Sequence, residues 1–235
     1  MKLNLKKKPK DVTIIEGFPG FGLIATITIE YLIKHLKTEK IGTIEVDELP
    51  AITAIHGGKV IEPISLHYNK QYNLVLVHAL NVNKQVEWKM AEMIEELADK
   101  LKAKEIISIE GVGSPNNQSR VFYYDTHDHK HFSNKIKNLA FPLNEGVVVG
   151  VTGALLSKSL KIPFKALFVE VESNLPDSRG AAEIIKVLDA YTSMKVDPKP
   201  LLKEANVFEE KLKEIIKKNQ KADTFRDDKK LGYVG

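Results

Sequence analysis

One stretch constrains the fold more than any other: Val12-Thr13-Ile14-Ile15-Glu16-Gly17-Phe18-Pro19-Gly20-Phe21-Gly22-Leu23-Ile24-Ala25. A β-branched apolar run meets three glycines and a proline within six residues, and then an apolar-rich segment that reaches Leu36. This order predicts a strand, a glycine turn and a helix. Such a junction presents backbone N–H groups at a helix N-terminus, where an anion or a partner's carbonyl can be held.

The pattern repeats along the chain. Residues 1–10 carry five lysines and read as a basic, solvated arm. Ile41 to Val46 alternates as a strand does. Val60 to Tyr68 contains Pro63, which predicts an edge strand or two separate pieces. Asn73 to Ala79 is nearly continuous apolar, as in a strand covered on both faces. Between Lys84 and Leu101, the residues Val86, Met90, Met93, Ile94, Leu97 and Leu101 fall on one helical face. Further buried strands are predicted over Lys104–Glu110, Glu145–Gly150 and Phe164–Val171, with a short one near Arg120–Tyr124. Helices are predicted near Ala154–Leu160 and over Gly180–Met194.

Strands alternating with helices imply an α/β fold: a mixed, mostly parallel sheet with helices on both faces, over residues 11–196. After Asp197-Pro198-Lys199-Pro200, residues 197–218 carry a separate helix whose Leu201, Ala205, Phe208, Leu212 and Ile215 form an a/d seam suited to docking on a subunit. Residues 219–235 are polar and read as a mobile tail.

Composition narrows the function classes. With 43% apolar residues in 235, the chain can bury a substantial core. The absence of cysteine rules out thiol catalysis and thiolate metal sites, and fits an intracellular protein. No apolar run approaches the ~20 residues that span a bilayer, and no apolar segment follows the basic start as it does in a secretory signal. The net charge of +4 comes from 35 basic and 31 acidic residues, with lysine interleaved with glutamate and arginine rare. That pattern reads as solvated helix faces, not as a nucleic-acid surface.

Several motifs could carry chemistry. Gly20-Phe21-Gly22-Leu23-Ile24-Ala25 satisfies the G-x-G-x-x-A pattern of dinucleotide folds. The acids that would meet a ribose, Glu45 and Asp47, come 25 and 27 residues after Gly20, which is late, and Phe18-Pro19 is foreign to the pattern. Gly111-Val112-Gly113-Ser114 and Val151-Thr152-Gly153 also follow predicted strands. With Gly20, Gly22 and Arg179 they define one candidate ligand crevice, at Gly111, Gly113 and Gly153, because ligands gather outside the carboxyl ends of parallel strands. Small residues in tight turns account for the same glycines without any ligand. His127, Asp128, His129 and His131 are metal-ligand types, but Lys130 interrupts them and nothing completes a known spacing, so no metal site is expected. In Pro176-Asp177-Ser178-Arg179-Gly180, Asp177 or Ser178 can cap the following helix, and Arg179 can either grip a phosphate or a partner's carboxylate or, the favoured reading, brace Glu170 or Glu172. No convergent acid–base pair stands out, so no catalytic residue is assigned. The competing reading is a small-molecule or nucleotide-binding enzyme that uses the glycine turns.

Taken together, Gly17 to Leu23, Gly111-Val112-Gly113, Val151 to Leu156, Pro176 to Ala182 and Val196-Asp197-Pro198 resemble the proteasome assembly chaperone 2 family, and more closely its archaeal members. The resemblance runs from about Val12 to about Lys218. It implies a fold like that of nucleoside phosphorylases and hydrolases, no established catalytic activity, no cofactor, a cytoplasmic setting and homo-oligomers. In some members it also implies binding to the α-ring of the 20S proteasome through a C-terminal hydrophobic-Tyr-any tripeptide. Here the tail ends Leu231-Gly232-Tyr233-Val234-Gly235, so Tyr233 is third from the end and the tripeptide is not met. Leu231, Tyr233, Val234 and Gly235 remain the expected contacts with proteasome α-subunits.

Overall fold

The computed structural model describes residues 1–48, 54–56, 59–81, 85–114, 118–127, 130–158, 160–172 and 175–203. Four strands form the parallel centre of a mixed sheet: β2 (Thr13–Gly17), β7 (Leu74–Ala79), β8 (Glu105–Gly113) and β11 (Phe164–Val171), in the order β7-β2-β8-β11. On one side the sheet continues antiparallel through β6 (Ile64–Asn69), β3 (Glu39–Glu45) and β1 (Lys2–Leu5). On the other, β9 (Val121–Asp125) runs antiparallel to β11, and β10 (Ala140–Pro142) runs parallel to β9. A separate hairpin pairs β4 (Ala54–His56) with β5 (Lys59–Ile61). Pro63 thus separates two strands, as expected of a residue that cannot donate to a ladder.

Helices cover both faces. α1 (Ile24–His35), α3 (Lys130–Ile136) and α5 (Ser178–Thr192) pack on one, α2 (Glu87–Leu101) and α4 (Gly150–Ser157) on the other. Each face has its own apolar layer, because alternate residues of the central strands point to opposite sides. Ile15, Ile107, Ile109 and Leu167 enter the first layer; Ile14, Ile106, Ala166 and Phe168 enter the second. The face predicted for α2 is the buried one, with Met90, Ile94, Leu97 and Leu101 inside. Asp177 caps α5, accepting from the N–H groups of Arg179 at 3.0 Å and Gly180 at 2.9 Å.

Three expectations are corrected. The first residues are not a free arm: Lys2–Leu5 pair with β3 as an edge strand, and Leu3 and Leu5 pack on the second core layer. Glu145–Gly150 is not a buried strand; β11 occupies the place between β8 and β9, and Val147 and Val149 are 91% and 71% exposed. Gly111 to Gly113 belong to β8 itself and not to a loop. Residues 199–203 are helical, but the rest of the expected helix to 218 and the tail at 219–235 lie outside the described residues.

At the amino-terminal end of the parallel strands lies a closed polar network. Lys165 Nζ contacts Glu105 Oε2 at 2.7 Å, and that oxygen also accepts from the Tyr191 hydroxyl at 2.8 Å. Thr13 Oγ1 donates to Glu105 Oε1 at 2.8 Å. The ammonium also lies over the rings of Phe132 and Tyr191, 5.4 and 5.7 Å from their centroids. Burial alone would raise the Glu105 pKa, but the Lys165 ion pair and the Tyr191 and Thr13 hydrogen bonds outweigh it and hold it below the ordinary value. Because the folded value is lowered, this stabilisation is present above the ordinary carboxylate range and is lost as pH falls through the lowered value. Lys165→Met leaves a buried, unpaired carboxylate and is expected to cost about 3–5 kcal/mol in urea unfolding at neutral pH. That loss should shrink in acid, where Glu105 protonates.

Candidate functional site

The carboxyl ends of β2 and β8 meet beneath the glycine turn. Glu16 on β2 lies opposite Ser108 on β8 in the parallel register. Glu110 follows Ser108 by two residues and so faces the same side. Thr152, in the first turn of α4, joins them: its hydroxyl lies 2.6 Å from Ser108 Oγ and donates to Glu110 Oε1 at 2.6 Å. The Val151-Thr152-Gly153 motif therefore reaches the same corner as the Gly111 motif, by way of Glu110.

Close packing holds the turn against the sheet. Phe21 to Leu23 form a tight turn before α1, with Gly22 and Leu23 both in left-handed backbone. A Cβ on Gly111 would stand 2.1 Å from the Phe21 carbonyl oxygen, and one on Gly17 would stand 2.4 Å from Ala25 Cβ. Only glycine permits these approaches. Gly22, at φ +63°, is buried against Val171 and Asp177, and its carbonyl accepts from the Asp177 N–H at 2.8 Å. The Asp177 motif thus buttresses the opening turn.

Gly20 and Gly113 lie on the solvent side. A Cβ on Gly20 would meet Glu110 Oε2 at 3.1 Å, and one on Gly113 would touch the half-exposed Phe21 ring at 3.7 Å. Gly153 is held against the Val148 carbonyl, where a Cβ would fall at 2.6 Å. Arg179 is exposed at the start of α5. The arginine that grips Glu170 is instead Arg120, through Nε at 2.9 Å and Nη2 at 2.8 Å. Of the histidine run, His127 follows β9, and His131 sits in α3 with its ring 6.4 Å from that of Tyr191. Asp128 and His129 lie outside the described residues, as do Leu231, Tyr233, Val234 and Gly235.

The functional candidates that the sequence reading passed over are Glu16, Ser108, Glu110 and Thr152. A signal was present: Glu16 ends an apolar run, and Ser108 and Glu110 interrupt a strand that is otherwise fit for burial on both faces. Glu16 is fully buried, and neither carboxyl oxygen makes a hydrogen bond of good geometry. Burial raises its pKa to about 8; the nearby Ser108 hydroxyl offsets this in part, and the charge of Glu110 adds to it. Glu110 is raised to about 7, again chiefly by burial, with the Thr152 hydroxyl opposing and Glu87 adding. The corner can therefore hold protons at neutral pH.

The architecture defines a class: a three-layer α/β protein with a glycine-built corner at the carboxyl ends of its parallel strands. The chain belongs to the PAC2 family, whose model matches residues 14–216. It is 28% identical over 214 residues to the Methanocaldococcus jannaschii protein MJ0106, covering 88% of this chain and 87% of that one. It is also similar to Pyrococcus furiosus PbaA, an archaeal homolog of proteasome-assembly chaperone, with 25% identity, a TM-score of 0.80, and 94% and 99% of the two chains covered. A Thermoplasma acidophilum structure shares the fold with a TM-score of 0.83 at 16% identity, over 94% of this chain and 92% of that one.

The raised carboxyl of Glu16 makes a signed prediction. Between about pH 4.5 and about 8 the unfolded chain has lost this proton and the native chain keeps it, so native stability falls as pH rises through that window. Glu16→Gln removes the titration. In metal-free buffer the variant should match the wild type in urea unfolding near the acid end of the window and exceed it above the alkaline end.

Proposed function

We propose that this protein acts as a non-enzymatic, homo-oligomeric proteasome-assembly-chaperone-like protein in the cytoplasm. On this reading it binds protein partners, among them proteasome α-subunits. The observation that carries the reading is the similarity to PbaA over nearly the whole of both chains at 25% identity. Two further observations support it. Among the described residues no helix is long and apolar enough to cross a membrane. Large apolar side chains are also left in solvent along one stretch, with Leu139, Phe141, Val147 and Val149 all exposed. Valines exposed this far, next to an edge strand, suit an interface between copies of the chain.

The tail supplies the contact with the α-ring, through Leu231, Tyr233, Val234 and Gly235. Full-length protein immobilised on a sensor should retain purified α-rings, and a chain ending at Lys230 should not. Equal retention by both would remove the tail from the account. The Val147→Glu/Val149→Glu double variant should shift the protein to a smaller species in light scattering, with its circular dichroism unchanged, because both side chains are already solvated in the single chain. An unchanged mass would place the subunit interface elsewhere.

A further inference from the structure

We propose that the corner between Glu16 and Glu110 is a binding site for a hard divalent cation of the magnesium type, entered from the surface at Gly20. The argument begins with the orphaned atoms. Both oxygens of Glu16 are buried without a hydrogen bond, and Glu110, partly exposed, accepts at Oε1 from Thr152. Buried polar groups are paired in native proteins unless a ligand, water or ion completes them. Among the described residues neither carboxyl has an ion-pair partner. Arg120, the basic residue fixed to the neighbouring strand end, is committed to Glu170. Glu87 adds negative potential at Glu110. Two unpaired carboxyl oxygens of Glu16, with Glu110 on the same face of the adjacent strand, therefore have no positive counterpart among the described residues.

The donor set selects the cation. All available ligands are oxygens, and the sequence has no cysteine. Among the described residues no three or more His, Asp or Glu side chains are grouped so as to hold a metal ion by themselves. Two carboxylates suit an ion that keeps much of its water shell, which is how magnesium is commonly held. The hydroxyls of Ser108 and Thr152, bonded to each other, fix the Glu110 carboxyl from behind, as outer partners orient a metal ligand. Access comes from the glycine. Gly20 is exposed, and the space its missing side chain leaves lies against Glu110 Oε2. The position, outside the carboxyl ends of parallel strands, is where open α/β sheets hold their ligands. No local spacing in the sequence marks this corner, because Glu16 and Glu110 are far apart in the chain and parallel pairing brings their strands together.

The test uses the full-length protein, treated with chelator and dialysed, at about pH 8.5 and about 0.15 M KCl to screen surface binding. Mn2+ serves as the probe by electron paramagnetic resonance, and Mg2+ as the competitor. One saturable Mn2+ site per chain, displaced by Mg2+, is expected. Glu16→Gln and Glu110→Gln should each weaken it at least about ten-fold, with circular dichroism unchanged. Gly20→Val leaves both ligands in place and obstructs the entrance, so it should weaken binding too, while Glu183→Gln, at a partly exposed position paired with Lys186 on α5, should not. No saturable site in the wild type, or wild-type affinity in both glutamine variants, would overturn the proposal. Wild-type affinity in Gly20→Val would overturn the entry route.

Discussion

The contact between the Phe21 carbonyl and the bare Cα of Gly111 holds the rest of the structure in place. It brings the opening turn onto the end of β8, closer than any side chain allows. Ala25 seats against Gly17 and Ile24 against Gly180 by the same means, so α1 lies low on the sheet and beside α5. The glycines of the turn thus act together. Gly17 and, from β8, Gly111 permit close approach, Gly22 supplies a left-handed backbone, and Gly20 leaves an opening. A phosphate cradle uses similar residues for another purpose. Here Val171 and Asp177 press on the turn at Gly22, the central glycine of the G-x-G-x-x-A motif.

The two ends of the parallel sheet contrast in their electrostatics. At the amino-terminal end, Glu105 has a cation, a phenol and a hydroxyl, and its pKa is held down. At the carboxyl end, Glu110 accepts from one hydroxyl, Glu16 is left unbonded, neither has a cation among the described residues, and both values are pushed up. Burial is the first cause in all three. The outcome is decided by whether a positive charge answers it. The first arrangement serves stability. The second keeps a buried acidic corner open to the surface at one glycine, which is a costly feature for a purely structural role.

Much of the fold was legible because period and length agreed. Phe164 to Val171 reads as a buried strand and is one, and the seam of α2 is the face that packs. Misreadings arose where local pattern and tertiary partner part company. Val147 and Val149 have strong strand propensity but no neighbouring strand, so they stand in solvent. Leu3 and Leu5 alternate with polar residues as an edge strand should, yet the lysines after them make the segment look like an arm. The carboxyl corner was the hardest to see. Glu16, Ser108, Glu110 and Thr152 come from three elements, and parallel pairing brings them together across long stretches of chain. The glycine motifs were visible one by one, but their shared purpose depends on contacts that no local spacing encodes.

The central claim is that close approach at Gly111 builds this corner and sets α1 on the sheet. Equilibrium urea unfolding of Gly111→Ala tests it most directly. The added methyl has backbone in its way, so the account predicts a loss of at least about 2 kcal/mol. An unfolding curve that superimposes on the wild type would contradict it.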